Sequence, residues 1–384
     1  DTLSLHDALP ISRRNYTDGK EIAGWREHDA QCGFPVYRMD LLRPEMMPPP
    51  ANKLVSAWRF LTIDIPLRVH LVAKVWSLVR KHGVRVICIG ELNSSAWLGS
   101  LFRKVLGIPV ILYVHGEEIT TRFSAGSFGR RRRSYLQAAD GIVSVSRFTQ
   151  QALVEQMGVR PERVCLIENG VDTRRFSPGP DDAAFRAKFG LGQKRLVVAV
   201  GRLVPRKGFD KTIAAWPAIH AAHPDAQLVI VGDGPQRAEL QALADASGVA
   251  DSITLTGSVS DAELLAAYRS ASLFVMPNRT MPDGDTEGFG LVFLEANACG
   301  RAVIGGRAGG AVEAVRHGES GLLVNGEVVD EIAAAIMNVL GDEALRGRLE
   351  AGALRHAQAN SWSNRVLIFQ DLCKKLQMTG VHHV

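Results

Sequence analysis

Four short stretches carry side chains able to hold or move charge. Glu287 and Glu295 stand eight residues apart in EGFGLVFLE, with glycines at 288 and 290 and an apolar run between them. Gly201 to Gly208 reads GRLVPRKG, so two glycines bracket Arg202, Arg206 and Lys207. His115 falls in YVHGEE, and Gly232-Asp-Gly234-Pro235 makes another small-residue turn. A glycine loop with cations at a helix start offers backbone N–H groups, a positive dipole end and fixed positive charge, which together suit a diphosphate. A solvated basic turn has the same composition.

The paired acids allow a more specific reading. Gly290 can open a helix whose free N–H groups would hold a phosphate. Glu295 then lies about 7 Å further along the axis. Helical side chains lean towards the N-terminus, so its carboxylate could accept from hydroxyls beside that phosphate, as a ribose presents them. Glu287 precedes the helix and could face the other side. A dipole-stabilising Glu287 with a surface Glu295 fits the spacing equally. The 232–235 turn is not a G-x-G-x-x-G, because position 237 is Arg, so a dinucleotide fingerprint is disfavoured. Asp283-Gly-Asp285 imitates a metal-binding D-x-D, but two cations would already neutralise the phosphates. It is read as a flexible loop, and no metal is expected.

Such residues need a frame. A helical pattern covers residues 53–82, with Pro66 expected to kink or divide it. Residues 13–50 read as irregular, broken at Pro44 and Pro48 to Pro50, with one short strand at 35–39. Strands are then expected at 84–89, 110–114, 141–145 and 164–167, with helices at 94–106, 127–138 and 147–157 between them. Residues 172–192, with Pro178-Gly179-Pro180, read as a linker. The alternation resumes with strands at 195–200, 227–231, 253–256, 273–276, 302–304 and 321–324. Helices are expected at 208–222, 235–247, 261–270, 290–299 and 310–316, and at 328–340, 343–358 and 362–376. Strand and helix alternating at this spacing is an α/β chain with parallel sheets covered by helices. Ligands of such sheets bind beyond the carboxyl ends of the strands, and all four stretches follow a strand.

Composition limits the function classes. The 384 residues suggest two domains. A net charge of +5 suits an anionic substrate or membrane surface without singling out nucleic acid, which is not expected as a partner. The five cysteines are scattered without a C-x-x-C, as in a reduced cytoplasmic protein. No apolar run reaches membrane-spanning length, and no signal peptide is visible. Arg130 to Arg133, with Arg122 nearby, form a basic run, and Trp58, Phe60 and Trp76 lie on the 53–82 segment. Together they could meet anionic lipid, or they could be a solvated basic face and core aromatics.

The motifs jointly carry a resemblance. Gly201-Arg202…Lys207-Gly208, Val231-Gly232-Asp-Gly234-Pro235, the E-x7-E of Glu287 and Glu295, and Gly309-Gly310-Ala-Val-Glu313 resemble, in order, the GT4 family of retaining glycosyltransferases. Asn169-Gly170-Val171-Asp172…Phe176 resembles the end of that family's N-terminal domain, and the likeness spans about residues 35–376. It implies the GT-B fold, two Rossmann-like domains facing across a cleft. It implies an acceptor-binding domain at 13–178, a nucleotide-sugar domain at 179–360, and a terminal helix at 361–376 crossing back. It also implies a retaining, metal-independent hexosyltransferase moving a hexose from GDP-mannose or a UDP-sugar to a lipid-linked or saccharide acceptor. Beyond the nucleotide sugar as co-substrate it implies no cofactor. In the family pattern Arg202 and Lys207 match the residues that clamp the donor pyrophosphate. Glu295 matches the acid that binds ribose hydroxyls, Glu287 the acid at the donor sugar, and His115 the histidine near the reaction centre. Gly201, Gly232, Gly234, Val259, Gly288, Phe289, Gly290 and Leu291 fall at donor-binding positions. Members retain configuration by same-face attack, the departing phosphate taking the acceptor proton. MPNRTMPDGDTEGFG and HGEE look most similar to the phosphatidylinositol mannoside mannosyltransferase-like branch. That implies glycolipid or envelope polysaccharide biosynthesis at the cytoplasmic membrane, by a cytoplasmic or peripheral protein.

One departure stands out. The family opens with a strand, a Gly-rich loop and a helix, and nothing in residues 1–50 matches them. Residues 1–12, DTLSLHDALPIS, read as a non-native, adapter-like segment. The N-terminal domain is therefore expected to be incomplete, with an unpaired sheet edge. Other readings stay open: a related nucleotide-sugar epimerase, or a catalytically silent protein that binds nucleotide sugar or lipid. A Rossmann dehydrogenase is disfavoured by the missing fingerprint.

Overall fold

The computed structural model describes residues 10–12, 25–39, 52–92, 95–120 and 127–380. Pro44, Pro48 to Pro50, Arg122 and residues 1–9 lie outside that set. The chain divides into two compact units. One comprises Asp1–Ile87, Leu101–Pro109 and Cys373–Val384; the other comprises Cys88–Ser100 and Val110–Leu372.

In the first unit, β1 (Pro10–Ser12) and β2 (Tyr37–Met39) pair in parallel. The helix Trp25–Gln31 lies in a region read as irregular from its sequence. It carries few apolar residues, so hydrophobic periodicity gave no sign of it. The 53–82 segment is helical throughout, and Pro66 does not divide it. A π-helical turn at Phe60–Asp64 precedes the helix Ile65–His82, and Pro66 sits in that helix's first turn. Proline lacks the N–H that an uninterrupted helix would need there, and the wider turn accommodates its ring. Trp76 packs on Phe102 with ring centroids 6.3 Å apart. Of the three aromatics considered for a lipid surface, only Trp58 and Phe60 are exposed.

Parallel sheets dominate the second unit. β3 (Ile87–Ile89), β4 (Val110–Val114), β5 (Gly141–Ser144) and β6 (Val164–Leu166) form a four-stranded sheet in that order. Residues 172–192 are not a bare linker: Asp182 caps a short helix, Ala183–Lys188, that buries Phe185. The remaining strands are β7 (Arg195–Val200), β8 (Ala226–Val231), β9 (Ile253–Gly257), β10 (Ala271–Met276), β11 (Val303–Gly306) and β12 (Gly321–Val324). They form a six-stranded parallel sheet in the order β12-β11-β10-β7-β8-β9. Runs such as LVVAV and LVIV are buried on both faces, which is why they read as continuous rather than alternating. Tyr268, Phe274 and Phe293 interlock in the core, with neighbouring centroids 5.9 and 5.7 Å apart.

This strand order fixes where a ligand can sit. The chain runs outward from β7 through β8 to β9, then returns to β7's other side at β10 and runs outward again to β12. The topological switch point therefore lies between β7 and β10, beyond their carboxyl ends, where open α/β sheets leave a crevice. The loop 201–208 leaves β7 there, and the loop 277–290 leaves β10 there.

Candidate active site

Backbone packing builds the floor of this crevice. A Cβ on Gly232 would stand 2.0 Å from the Gly201 carbonyl oxygen, and one on Gly306 would stand 1.7 Å from that of Asn278. Side chains at these positions would push the strand ends apart. The Asn278 side chain stitches the edge, accepting from the Gly306 amide at 3.0 Å and donating to the Ala308 carbonyl at 3.0 Å. Two helices begin at the switch point, Phe209–Ala222 and Leu291–Ala298, and glycines 208 and 290 are their N-caps. Neither start has a side-chain cap. Both glycines adopt positive φ, +73° and +91°, a conformation that costs glycine nothing. By contrast the helix Asp261–Ser270, after β9, has a full capping box from Ser260 and Glu263.

The charged residues converge on these starts. Lys207 Nζ donates to Glu287 Oε2 at 2.5 Å, with side-chain exposures of only 11% and 12%. The two loops thus meet through a nearly enclosed ion pair at the switch point. Arg202 is exposed. Arg206, the third cation of the loop, is committed to Asp285, with contacts of 3.1 and 3.2 Å. Asp283 in turn accepts the Asp285 amide at 3.0 Å. The loop expected to be flexible is therefore tied down, and Asp285 already has a cationic partner. Among the described residues no group of three or more His, Cys, Asp or Glu side chains could hold a metal ion.

Glu295 sits on the second turn of the helix Leu291–Ala298 and is not a surface residue. The hydroxyl of fully buried Tyr268 donates to its Oε2 at 2.7 Å. Burial raises the Glu295 pKa; the Tyr268 hydrogen bond and the positive charge of Arg175 act against that shift. Burial likewise raises the Tyr268 pKa, reinforced by the Glu295 carboxylate. A carboxylate with one oxygen fixed by a buried phenol is held in one orientation. Phe289 is buried, Leu291 is exposed and Val259 is half-buried. Gly234 packs on the backbone of Leu203.

His115 follows β4 and is exposed, its Nε2 lying 3.2 Å from the Gly90 carbonyl oxygen. Its backbone touches the acidic stretch. A Cβ on Gly288 would stand 2.1 Å from the His115 carbonyl oxygen. The structure therefore joins Lys207 to Glu287, Gly201 to Gly232, and His115 to Gly288. Gly288→Ala is expected to force this contact open and lower activity at least tenfold. Circular dichroism would stay native, because the clash lies between loops and not within a sheet. Wild-type turnover from the alanine variant would show that the contact is dispensable.

Sequence reasoning did not find Tyr268, Asp285 as the partner of Arg206, or Asn278. Tyr268 reads as one more apolar position on a helix, and no local pattern marks its hydroxyl.

The chain is similar to known proteins along most of its length. Residues 181–356 match the profile described as glycosyl transferases group 1, and residues 37–175 match that of glycosyltransferase family 4. It is 37% identical over 290 residues to the GDP-mannose-dependent α-(1-6)-phosphatidylinositol monomannoside mannosyltransferase of Mycolicibacterium smegmatis, covering 75% of each chain. It is 33% identical over 318 residues to the corresponding monoacylated-substrate mannosyltransferase of Corynebacterium glutamicum, covering 82% of this chain and 81% of that one. Among solved structures it superposes on Anabaena HepE in complex with UDP and glucose, at a TM-score of 0.71 and 22% identity. That match covers 92% of this chain and 88% of the other. It also superposes on the sucrose-phosphate synthase of Thermosynechococcus elongatus, at a TM-score of 0.69 and 26% identity, covering 89% and 84%.

Proposed function

The chain belongs to the group 1, GT4 family of retaining glycosyltransferases with the GT-B fold, and on that premise we propose that its donor is GDP-mannose and its acceptor a phosphatidylinositol mannoside-type lipid. The names of its mannosyltransferase relatives support the donor and acceptor. The observation that carries the site assignment is the enclosed Lys207–Glu287 pair at the switch point, beside an uncapped helix start.

In this reading the donor diphosphate lies against the starts of the helices at 209 and 291. Lys207 and Arg202 neutralise it, Glu295 accepts from the ribose hydroxyls, and Glu287 faces the sugar. As the sugar–phosphate bond breaks, charge grows on the leaving phosphate. Fixed cations and helix N-termini stabilise that charge more in the transition state than in the ground state, so they accelerate the step. The Lys207–Glu287 contact holds the ammonium in place before donor arrives, so little reorganisation is needed at the moment of reaction. Residues 13–178 would bind acceptor and 179–360 donor.

A membrane surface belongs to the proposal. The helical run carries Leu54, Trp58, Leu61, Ile65 and Val69 on one stripe, and all are exposed, Leu54 at 81% and Trp58 at 64%. Lys53, Arg59 and Arg68 lie beside them, as on helices that rest in an anionic lipid interface. Of the basic run, Arg132 and Arg133 donate to the carbonyls of Glu118 and Gln156, and Arg130, Arg131 and Arg133 are exposed. No helix among the described residues is long and apolar enough to cross a membrane.

Thermal-shift screening against GDP-mannose, UDP-glucose and ADP-glucose should show stabilisation by GDP-mannose. Radiolabelled mannose should then pass to phosphatidylinositol mannoside in anionic vesicles. Stabilisation by UDP-glucose alone would overturn the donor assignment. Transfer to D-inositol 3-phosphate instead of lipid, the acceptor named for other relatives, would overturn the acceptor assignment.

A further inference from the structure

A carboxylate from the six-stranded half of the second unit is bonded to a helix of its four-stranded half. Glu313 follows β11, in the short helix Ala311–Ala314. Its Oε2 accepts the Arg147 amide at 2.7 Å and its Oε1 accepts the Phe148 amide at 2.9 Å. These are the first two N–H groups of the helix Arg147–Glu155, and the Ser146 hydroxyl takes the third, at Thr149, at 3.0 Å. These three N–H groups are thus all satisfied, two of them by a residue 166 and 165 positions away. An ionised carboxylate on a helix N-terminus gains from charge-assisted bonds and from the dipole.

The contacts close into a ring around the reaction side of the site. The Gly310 amide donates to the Glu287 carbonyl at 2.7 Å, which ties the Glu313 segment to the acidic loop. Gly288, next in that loop, lies under the His115 carbonyl. Gly116 faces Thr149: a Cβ there would stand 3.0 Å from the Thr149 hydroxyl. Thr149 belongs to the turn that Glu313 holds. Going round, Glu287, Gly288, His115, Gly116, Thr149, the Arg147 and Phe148 amides, Glu313 and Gly310 form one circuit. Packing alone makes the 288–115 and 116–149 links. Glu313 supplies the polar link opposite them.

We propose that Glu313 is a positioning residue for transfer. By binding the helix start at Arg147 and Phe148, it holds the His115 turn against the Glu287–Gly288 wall. The inference rests on the reaction proposed above, and it requires no contact between Glu313 and substrate. Glu313→Ala leaves two helical N–H groups without their acceptor and frees the His115 turn, while the donor clamp on the six-stranded sheet stays whole. Glu313→Gln keeps one acceptor oxygen and loses the charge. It should fall between wild type and alanine.

The test combines kinetics with amide hydrogen exchange on the full chain. With Glu313→Ala, kcat for mannose transfer is expected to fall by about 10- to 100-fold, an effect of misplacement. The Kd for GDP, measured by calorimetry, should stay within about twofold, and Glu313→Gln should recover part of the loss. Exchange should quicken at residues 147–149 and also at 113–120. Faster exchange confined to 147–149 with unchanged kcat would overturn the proposal, since Glu313 would then be a local cap. A loss of kcat matched by an equal loss of GDP affinity would overturn it too. If the wild-type chain transfers no mannose, the proposed reaction fails instead, and the exchange at 113–120 still decides the link.

Discussion

Lys207→Ala is expected to lower kcat/KM for sugar transfer by about 10²- to 10³-fold, the usual cost of removing one preorganised stabiliser of transition-state charge. The ammonium is nearly enclosed at the switch point and is held by Glu287 at 2.5 Å. Exposed Arg202 is free to rearrange in water and should matter less. The substitution has a second consequence. It leaves the Glu287 carboxylate largely buried without its counter-charge, and breaking a buried pair in this way costs about 3–5 kcal/mol at most. Loss of activity could therefore be confused with loss of fold. Lys207→Met combined with Glu287→Gln separates the two, since it removes both charges and nearly conserves volume. The double variant should melt close to wild type yet remain inactive and bind GDP weakly. If it recovers both stability and turnover, the pair is a structural clip and the clamp assignment is wrong.

The α/β architecture was legible because both-face-buried strands read as short apolar runs, and their alternation with helices implies parallel sheets; the GT-B fold followed only from the resemblance that the motifs carry. The strand order was not legible, since periodicity says nothing about which neighbours a strand takes. Yet that order places β7 beside β10 and so brings GRLVPRKG to EGFGLVFLE. The positions of Lys207, Glu287 and Glu295 could be read because each follows a strand or a glycine helix start. Their partners could not. Tyr268 approaches Glu295 across the core from another helix, and Glu313 reaches Arg147 across 166 residues. Such contacts arise from tertiary packing and leave no local pattern. The π-helical turn before Pro66 was hidden for a different reason, because a proline in a helical pattern signals interruption without saying how the chain absorbs it.

Glu295→Gln is expected to weaken nucleotide binding by roughly 10- to 100-fold, the worth of a hydrogen bond to a charged group, while making the free protein more stable at neutral pH. The two effects share one cause. Burial raises the Glu295 pKa above that of an unfolded glutamate, ordinarily 4.5. Between the unfolded and folded values the native state holds more protons, so the free energy of unfolding falls as pH rises through that window. Above the folded value the penalty for an ionised, desolvated carboxylate is present in full. Below 4.5 both states are protonated and the penalty disappears. Glutamine never ionises, and its amide oxygen can still accept from Tyr268. Its melting temperature should exceed wild type at pH 7, by about 2–4 °C for each kcal/mol of penalty removed, and match wild type below pH 4.5. GDP affinity should follow the opposite course. In wild type it should weaken as acid protonates Glu295, starting at a pH higher than an ordinary glutamate would give, and in the variant that dependence should be absent. A destabilised Glu295→Gln that binds GDP like wild type would mean that this carboxylate serves the core and not the ribose. The predicted result, a more stable protein with a poorer site, is what a charge kept buried for its ligand should produce.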